Sequence, residues 1–375
     1  MKTISFSVND KIPPREVCGC GFPHHYNLKN VLFGNVLDLL ELLPEFDMSP
    51  PYGVFYDEIT FKVCGKQVVE QLNAVEFNVK YPTFDEAETH LRRVKDLRTI
   101  IAVGGGAVID VARYVTYRAK TTFVVIPTAP SQDGIASPRS ALYAVSPEGE
   151  LVYKGTAEAK APDIVIFDLD IVSSAPITLI RSGYGDILTK LTSIKDWQLG
   201  RDDLGEPYCP TAEKLALEAV ESIINVGSEY KSANSIMNLC KALILSGAAM
   251  GIVNSTRPGG GSEHMIGRHL EIYTKRKLSH GIAAAVGTLL MASLHELKNP
   301  NWWSEERYKL NSIRERCEKW DILKSLKEAN IPRQVFVEAI TESWKTRPER
   351  YTILHKYKPE RELAEQLVSY SRMEI

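Results

Sequence analysis

Two histidines and one aspartate supply the side-chain types of a divalent-metal site. His264 follows a run of three glycines (259–261), His280 opens the next apolar segment, and Asp186 lies upstream in a Gly-Tyr-Gly-Asp run. Two neutral imidazoles and one carboxylate can hold a metal while leaving a position open to substrate. Burying these groups without partners would cost several kcal/mol, so we expect them to share a cation.

Arg268 stands four residues after His264. On a helix the two side chains share one face, and so do Asp186 and Lys190. The Arg268 guanidinium is therefore a candidate contact for an anionic group of a metal-bound substrate. The alternative is an ion pair with a nearby glutamate, Glu263 or Glu271.

A second group of metal-type residues lies near the N-terminus. Cys18 and Cys20 precede the adjacent pair His24 and His25. This spacing matches none of the closed structural zinc sites, so we predict no metal there. The six cysteines are scattered over 375 residues and do not indicate a disulfide framework. A reducing cytoplasm is the expected compartment.

Three consecutive glycines, Gly104, Gly105 and Gly106, join an apolar strand to a helix. Glycine lets the backbone approach a diphosphate closely, and the helix N-terminus supplies amide donors. The spacing is not the common G-x-G-x-x-G, so a tight turn without a ligand is the alternative.

Polar side chains also follow the next strand. Thr128, Ser131, Asp133 and Ser137 lie in one loop, and ligands of open α/β sheets bind at such strand ends. The alternative is a polar turn in which Asp133 or Ser137 caps a helix. Asp57, which follows an earlier strand, is expected to contact the adenosine ribose; this favours NAD over NADP without excluding dual use.

The composition is that of an ordinary globular protein, with 44% hydrophobic and 25% charged residues. The net charge of -2 gives no indication of nucleic acid or anionic membrane as a partner, and favours a small-molecule substrate. No secretion signal opens the chain. The longest apolar run, 281–294, is shorter than the ~18 residues that span a bilayer.

Strands and helices alternate in the first half of the chain and helices dominate the second. The predicted strands are 30–34, 52–56, 74–78, 99–103, 121–126 and 164–167, and the predicted helices of the first half are 35–43, 86–95 and 108–117. Alternation of this kind predicts a parallel sheet. We therefore expect a Rossmann-like α/β dinucleotide-binding domain over 1–175 and an all-helical metal- and substrate-binding domain over 176–375. The strongest helical patterns of the second half are 215–226, 234–250, 265–271 and 282–297.

These pieces, in this order, resemble the glycerol-1-phosphate dehydrogenase family within the dehydroquinate synthase-like and iron-containing alcohol dehydrogenase superfamily. The resemblance runs from about Asn27 to Glu296. It is carried by Gly104-Gly-Gly-x-x-x-Asp110, Pro127-Thr-Ala-x-Ser131-x-Asp-Gly-Ile-Ala-Ser137, Gly185-Asp186-x-x-x-Lys190 with Asp196-Trp197, Arg257-Pro with Gly261-Ser-Glu-His264, and His280-Gly281.

The resemblance implies a two-domain fold with the active site in the cleft between the domains. It implies that Asp186, His264 and His280 are metal ligands, for zinc in the first place, with nickel or iron as alternatives. Asp133 and Asp186 would contact substrate. The implied contacts of NAD or NADP, together with Asp57 from the strand-end reasoning, are Gly104, Gly105, Gly106, Ala107, Val108, Ile109, Asp110, Thr128, Ala129, Pro130, Ser131 and Ser137.

Three positions depart from the family pattern. Gln132 stands where the family usually has histidine, Gly260 where it has serine, and Arg268 where it has a substrate-contacting histidine. These changes gather around the substrate, while the cofactor and metal positions are kept. They leave the chemistry intact and put the choice of substrate in question.

The expected reaction is reversible hydride transfer between NAD(P)H and a phosphorylated ketose or polyol, with glycerone phosphate and glycerol 1-phosphate as the leading pair. A longer sugar phosphate is the first alternative, in view of Arg268 and Gln132. A dehydroquinate synthase-type lyase or cyclase and a catalytically silent binding protein are the others. We expect a cytoplasmic homo-oligomer, a dimer or larger, with no nucleic-acid or membrane partner.

Overall fold

The computed structural model describes residues 4–146, 151–153, 155–301 and 305–373. The contacts of the chain divide it into two compact units. Unit 1 consists of Met1–Pro14, Pro23–Pro176 and Leu243–Ser255, and unit 2 consists of Arg15–Phe22, Ile177–Ala242 and Thr256–Ile375.

Unit 1 contains all the strands of the described part of the chain. They are β1 (Ile4–Phe6), β2 (Asn30–Phe33), β3 (Tyr52–Tyr56), β4 (Val75–Asn78), β5 (Thr99–Gly104), β6 (Thr122–Pro127), β7 (Arg139–Ser140), β8 (Tyr143–Val145), β9 (Leu151–Tyr153), β10 (Ala157–Glu158) and β11 (Ile164–Phe167). Seven of them form one sheet in the order β1-β2-β11-β6-β5-β3-β4, and β7–β10 and β8–β9 form two small antiparallel pairs.

The predicted parallel sheet is confirmed, with one difference at its edge. The six strands from β2 to β4 along the sheet are parallel. β1 pairs antiparallel with β2, with Ser5 opposite Leu32. A three-residue strand is too short to show a periodic pattern, which is why the sequence did not indicate it. The central strands are buried on both faces, as parallel strands covered by helices must be.

Six helices accompany these strands. They are α2 (Val36–Leu40), α3 (Glu58–Thr60), α4 (Lys66–Leu72), α5 (Phe84–Leu91), α6 (Gly106–Ala119) and α7 (Leu169–Ser173). The chain leaves β3 for β4 on one side, and leaves β5 for β6 on the other. The neighbouring carboxyl ends of β3 and β5 are therefore a topological switch point, where open α/β sheets bind their ligands.

The described residues of unit 2 form helices joined by loops and contain no strand. Its helices are α1 (Arg15–Cys18), α8 (Ile177–Leu188), α9 (Lys190–Leu204), α10 (Pro210–Ile224), α11 (Ala233–Ile252, grouped with unit 1 from Leu243 onward), α12 (Ser262–Tyr273), α13 (His280–Lys298), α14 (Leu310–Lys319), α15 (Ile322–Ala329), α16 (Arg333–Glu342), α17 (Ile353–Tyr357) and α18 (Arg361–Tyr370). This confirms the helical character that the sequence predicts after Pro176.

Two glycines bring α8 and α13 into backbone contact. A Cβ on Gly185 would meet the carbonyl of Gly281, and a Cβ on Gly281 would meet the carbonyl of Ser182. The Gly281 amide also donates to the Ser182 hydroxyl at 3.0 Å. Any larger residue would push the helices apart, so these glycines place the first turn of α13 beside the last turns of α8.

Among the described residues, α11 alone is long and apolar enough to cross a membrane. Its most apolar window is 83% buried inside the protein. A buried core helix passes the same test of length and composition, so this helix is weak evidence for a membrane span.

Candidate metal and cofactor sites

Unit 2 brings the three predicted metal ligands together. Asp186 comes from α8, His264 from α12 and His280 from the first position of α13. Their ligand atoms all lie within 4.8 Å of one another, and His264 Nε2 is 3.6 Å from Asp186 Oδ1. Asp186 is buried, whereas both imidazoles remain partly exposed. The cluster therefore has a closed side and an accessible side, as a catalytic metal site requires.

Each imidazole is held by a carboxylate that the sequence analysis did not assign to the site. His264 Nδ1 lies 2.8 Å from Glu263 Oε1, and His280 Nδ1 lies 2.6 Å from Glu271 Oε1. A carboxylate on Nδ1 fixes the ring orientation and leaves Nε2 as the ligand atom. Glu263 adjoins His264 in the sequence, but only the tertiary contact distinguishes its role from that of any other glutamate.

Glu263 is itself fixed in place by two further donors. Its side chain is fully buried and accepts hydrogen bonds from the Thr192 hydroxyl at 3.0 Å and the Gly261 amide at 2.6 Å. Thr192 lies on α9, and Gly261 directly precedes α12. The orientation of His264 is therefore determined by two helices, which reduces the rearrangement that metal binding needs.

Lys190 places a positive charge on the buried side of the cluster. Its ammonium donates to Asp186 Oδ1 at 3.2 Å, to the Thr189 hydroxyl at 3.1 Å and to the Gly259 carbonyl at 3.0 Å. Burial opposes ionisation of Asp186, but Lys190 and the two imidazoles hold the pKa of its carboxyl below the ordinary value. Asp186 is therefore an anionic ligand throughout the physiological pH range.

The carboxylates of the cluster favour positive charge at its centre. Burial lowers the pKa of His264, but its bonds to Asp186 and Glu263 outweigh this and raise it to about 9. Burial likewise opposes ionisation of Glu271, yet His280 and Arg268 lower its pKa to about 2. Without a metal the cluster favours a proton on His264, and a divalent cation meets the same electrostatic demand. The residues therefore fit a metal.

The structure pairs Arg268 with Glu271. Arg268 Nη1 donates to Glu271 Oε2 at 2.7 Å, while the other carboxylate oxygen of Glu271 holds His280. This is the ion pair that the sequence analysis gave as the alternative for Arg268. Arg268 therefore helps to hold the Glu271 carboxylate beside His280. The contact of Arg268 with substrate remains a prediction. His269, the next residue, does not belong to the cluster of ligand atoms.

In unit 1, the glycine turn forms the N-terminus of α6 at the carboxyl end of β5. Gly105 is the N-cap residue, with φ -89° and ψ -170°, and has no side chain to cap the helix. Apart from its two chain neighbours, no described residue has an atom within 4 Å of the position that a Cβ on Gly105 would take. Neither its backbone conformation nor its protein neighbours require glycine there. The free space beside a helix N-terminus fits the close approach of a cofactor diphosphate.

Gln132 packs over this turn. A Cβ on Gly106 would meet the Gln132 amide, and a Cβ on Gly134 would lie 3.2 Å from the same side chain. Gln132, one of the three departures from the family pattern, thus covers the first turn of α6. A Cβ on Gly104 would lie 2.8 Å from Val108, so protein packing alone accounts for that glycine.

The polar loop after β6 folds against the glycine turn. The Thr128 amide donates to the Gly104 carbonyl at 3.2 Å. The Ser246 hydroxyl donates to Asp133 Oδ2 at 2.7 Å, and Ser137 accepts a bond from the Arg139 amide at 3.1 Å. Ser137 therefore holds a local turn before β7 and is not the helix cap given as its alternative. Ser131 remains partly accessible.

Two predicted cofactor residues have their carboxylates engaged by the protein itself. Asp110 binds the fully buried guanidinium of Arg113 at 2.8 Å, and Arg113 also donates to the Gly134, Ile135 and Arg139 carbonyls. Asp57 caps α3 by accepting from the Ile59 amide at 2.9 Å and the Thr60 amide at 2.8 Å. Structural contacts thus account for both residues, and their contacts with cofactor stay predictions.

The side chains at the remaining predicted cofactor positions differ in their exposure to solvent. In the first turn of α6, Ala107 is exposed while Val108 and Ile109 are buried; in the loop after β6, Ala129 and Pro130 are buried. A residue whose side chain is buried can still offer a ligand its backbone. The first N–H groups of α6 are available for this, whereas the Ile109 amide already donates to the Gly105 carbonyl at 3.1 Å.

Comparisons with known proteins agree with this chemistry. The sequence profile of the family described as iron-containing alcohol dehydrogenase matches residues 33–176. The chain is 34% identical over 335 residues to glycerol-1-phosphate dehydrogenase (NAD(P)+) from Sulfurisphaera tokodaii, covering 87% of this chain and 91% of that one. It is 30% identical over 347 residues to the protein of the same name from Pyrococcus abyssi, covering 90% and 95%.

Solved structures show the same fold at low sequence identity. Glycerol dehydrogenase from Schizosaccharomyces pombe matches with a TM-score of 0.70 and 17% identity, covering 92% of this chain and 89% of that one. An iron-containing alcohol dehydrogenase from Corynebacterium glutamicum matches with a TM-score of 0.71 and 18% identity, covering 94% and 96%. Similarity at this identity is evidence for the fold alone.

Proposed function

Because the chain belongs to the glycerol-1-phosphate dehydrogenase family, we propose that this metal- and NAD(P)-dependent dehydrogenase reduces glycerone phosphate to glycerol 1-phosphate, reversibly. The observation that carries the proposal is the cluster of Asp186, His264 and His280, in which each imidazole is held by a carboxylate. A structural role alone would not need three ligand residues facing one accessible point.

The three ligand residues would hold the metal, which when bound supplies Lewis-acid polarisation of the substrate oxygen. Glu263 and Glu271 fix the rings of the two histidines and keep Nε2 directed toward the centre of the cluster. Lys190 keeps Asp186 anionic and fixed on the buried side. The protein's own contribution is thus a preorganised site whose geometry is set before substrate binds.

The N-terminus of α6 is proposed to receive the cofactor diphosphate at Gly105 and the backbone amides that follow. A cofactor held there would supply the hydride. Asp57 stands at the end of β3, beside this turn in the sheet order. A carboxylate there repels a 2′-phosphate, which favours NAD over NADP as the preferred cofactor.

We propose zinc as the metal, because two imidazoles and one carboxylate form a typical catalytic zinc set. Nickel and iron accept the same donors and are the alternatives. A cytoplasmic location and a homo-oligomeric state, dimer or larger, complete the proposal.

A longer sugar phosphate is the second candidate substrate. Gln132 covers the first turn of α6 and, together with Gly260 and Arg268, departs from the family pattern around the substrate. Glycerone phosphate remains the first candidate because these departures leave the ligand cluster itself unchanged.

The test is oxidation of NADH and NADPH, followed by absorbance, with a panel of ketose and aldose phosphates. The chain is first freed of metal and then reconstituted with zinc, nickel or iron. Glycerone phosphate with NADH and zinc is expected to give the highest kcat/KM. A higher kcat/KM with a longer sugar phosphate would show that the proposed substrate is wrong and that the proposed type of reaction is right. Turnover without net loss of reduced nicotinamide would indicate the dehydroquinate synthase-type reaction.

His264→Ala and His280→Ala are expected to abolish activity with the fold retained. His269→Ala is the matched control, because it removes an imidazole from the same helix as His264 without touching the ligand cluster. Full activity of both ligand variants after exhaustive chelation would contradict the role of the metal.

A further inference from the structure

Three cysteine thiols converge in unit 2, far from the dehydrogenase ligands in sequence. Cys18 and Cys20 lie near the N-terminus, and Cys209 precedes α10. The Cys18 and Cys209 sulfur atoms are 3.8 Å apart, and all three sulfur atoms lie within 4.8 Å of one another. Cys209 is fully buried, whereas Cys18 and Cys20 are partly exposed. The spacing of Cys18 and Cys20 alone did not indicate a site, because the third thiol is 189 residues further along the chain.

The backbone around the first two cysteines adopts a specialised conformation. Gly19 has φ +67° and Gly21 has φ +81°, both in the left-handed region that favours glycine. Beyond the adjoining residues of the chain, the described part of the structure places no atom within 4 Å of a Cβ on either glycine. The conformation, and not a lack of space, therefore accounts for glycine at these two positions. The alternating Cys-Gly-Cys-Gly segment is shaped to hold two thiols near a third.

Hydrogen-bond donors are directed at the sulfur atoms. The Thr211 hydroxyl lies 3.1 Å from Cys18 Sγ, and the Ala212 amide lies 3.4 Å from Cys209 Sγ. Cys209 is the N-cap residue of the fifteen-residue helix α10, so its sulfur also faces the positive end of the helix dipole. Donors of this kind stabilise thiolates, which are the form that binds metal.

We propose that Cys18, Cys20 and Cys209 form a second metal site that takes a thiophilic divalent cation, zinc in the first place. Three thiolates this close would repel one another without a cation, whereas Zn²⁺ accepts three thiolates and one further ligand. His24 and His25 follow Cys20 by four and five residues and are the first candidates for that ligand by sequence. Zinc displaces one proton from each thiol and changes no oxidation state.

The site has a structural role in unit 2. Phe22 packs edge-on against Trp197 of α9, with ring centroids 6.5 Å apart. None of the residues in the short segment 15–22 is buried. A metal held by Cys18, Cys20 and Cys209 would attach this segment to the start of α10. It is expected to raise stability without taking part in hydride transfer.

Metal content per chain tests the proposal. The wild-type chain, reduced and reconstituted with zinc, is expected to hold two zinc ions by mass spectrometry of metals. Cys209→Ser and Cys18→Ser are expected to hold one and to keep their activity. Serine is a strong N-cap residue, so Cys209→Ser preserves the start of α10. Cys317→Ala, which alters a buried cysteine of α14, is the matched control and should still hold two.

Cobalt substitution separates this site from the dehydrogenase site. The wild-type chain and His264→Ala should both show the thiolate-to-cobalt charge-transfer band in the near ultraviolet, and Cys209→Ser should lack it. One metal per wild-type chain with no such band would overturn the proposal. So would a Cys18–Cys209 disulfide, seen as the loss of two hydrogens in the intact mass, that persists in the presence of zinc and a mild reductant.

Discussion

Replacing Glu271 by glutamine tests how far the carboxylates behind the histidines determine metal affinity. One carboxylate oxygen accepts from His280 Nδ1 at 2.6 Å and the other from Arg268 Nη1 at 2.7 Å. An amide has a single oxygen, so in Glu271→Gln either His280 or Arg268 faces an NH₂ group. The substitution keeps the volume of the side chain and removes both the charge and one of the two acceptors.

The expected loss in metal affinity is about 10–100-fold, the usual effect of removing a carboxylate that orients a metal-bound histidine. This corresponds to about 1.4–2.7 kcal/mol of binding free energy. The measurement is a competition titration of the metal-free protein with a chromophoric zinc chelator. At saturating zinc, most of the lost kcat should return, because Glu271 orients the ligand and does not itself bind the metal.

Glu342→Gln is the matched control, because Glu342 pairs with Lys345 on an exposed surface of the same unit. Exposed ion pairs contribute little to stability, so the zinc affinity of Glu342→Gln should equal that of the wild-type chain. Equal zinc affinity of Glu271→Gln, Glu342→Gln and wild type would refute the role assigned to Glu271. Circular dichroism excludes unfolding as the cause of any loss.

Three further predictions concern single residues. Gly105→Ala should keep the melting temperature and weaken NADH binding by at least about tenfold, or ~1.4 kcal/mol, since its Cβ occupies the space proposed for the diphosphate. The control Gly104→Ala should instead lower the melting temperature. Unchanged NADH affinity in Gly105→Ala would place the diphosphate elsewhere. Asp110→Asn should lower the free energy of unfolding by about 3 kcal/mol in urea titrations, because it removes the carboxylate that pairs with the buried Arg113 guanidinium. A loss confined to NADH binding would contradict this. The pKa of His264 is raised to about 9, so below that pH a metal must displace a proton from this imidazole. Apparent zinc affinity should therefore rise about tenfold per pH unit between about pH 6.5 and 8.5. A flat profile would show that His264 is already neutral.

Residue types and spacing were sufficient to predict the sheet, the helical second half and the grouping of Asp186, His264 and His280. The strands over 52–56 and 164–167 were predicted with their observed bounds, because apolar runs ending at a turn residue constrain both ends. Helix ends were less accurate: the predicted 86–95 is observed as Phe84–Leu91, since Thr83 caps the helix two residues earlier than the hydrophobic pattern indicates. The roles of Glu263 and Glu271 could not be predicted, because a glutamate that supports a ligand has no sequence pattern of its own.

The sequence by itself determined which chemistry the chain carries, because five motifs with the required side-chain types stand in the order of the glycerol-1-phosphate dehydrogenase family. Only the tertiary structure decided how other charged groups are used. It pairs Arg268 with Glu271, Asp110 with Arg113, and Cys18 with a cysteine 191 residues away. Helical spacing permits the first two pairs, whose members are three residues apart, but the folded chain decides that they form. The two cysteines are brought together by folding alone.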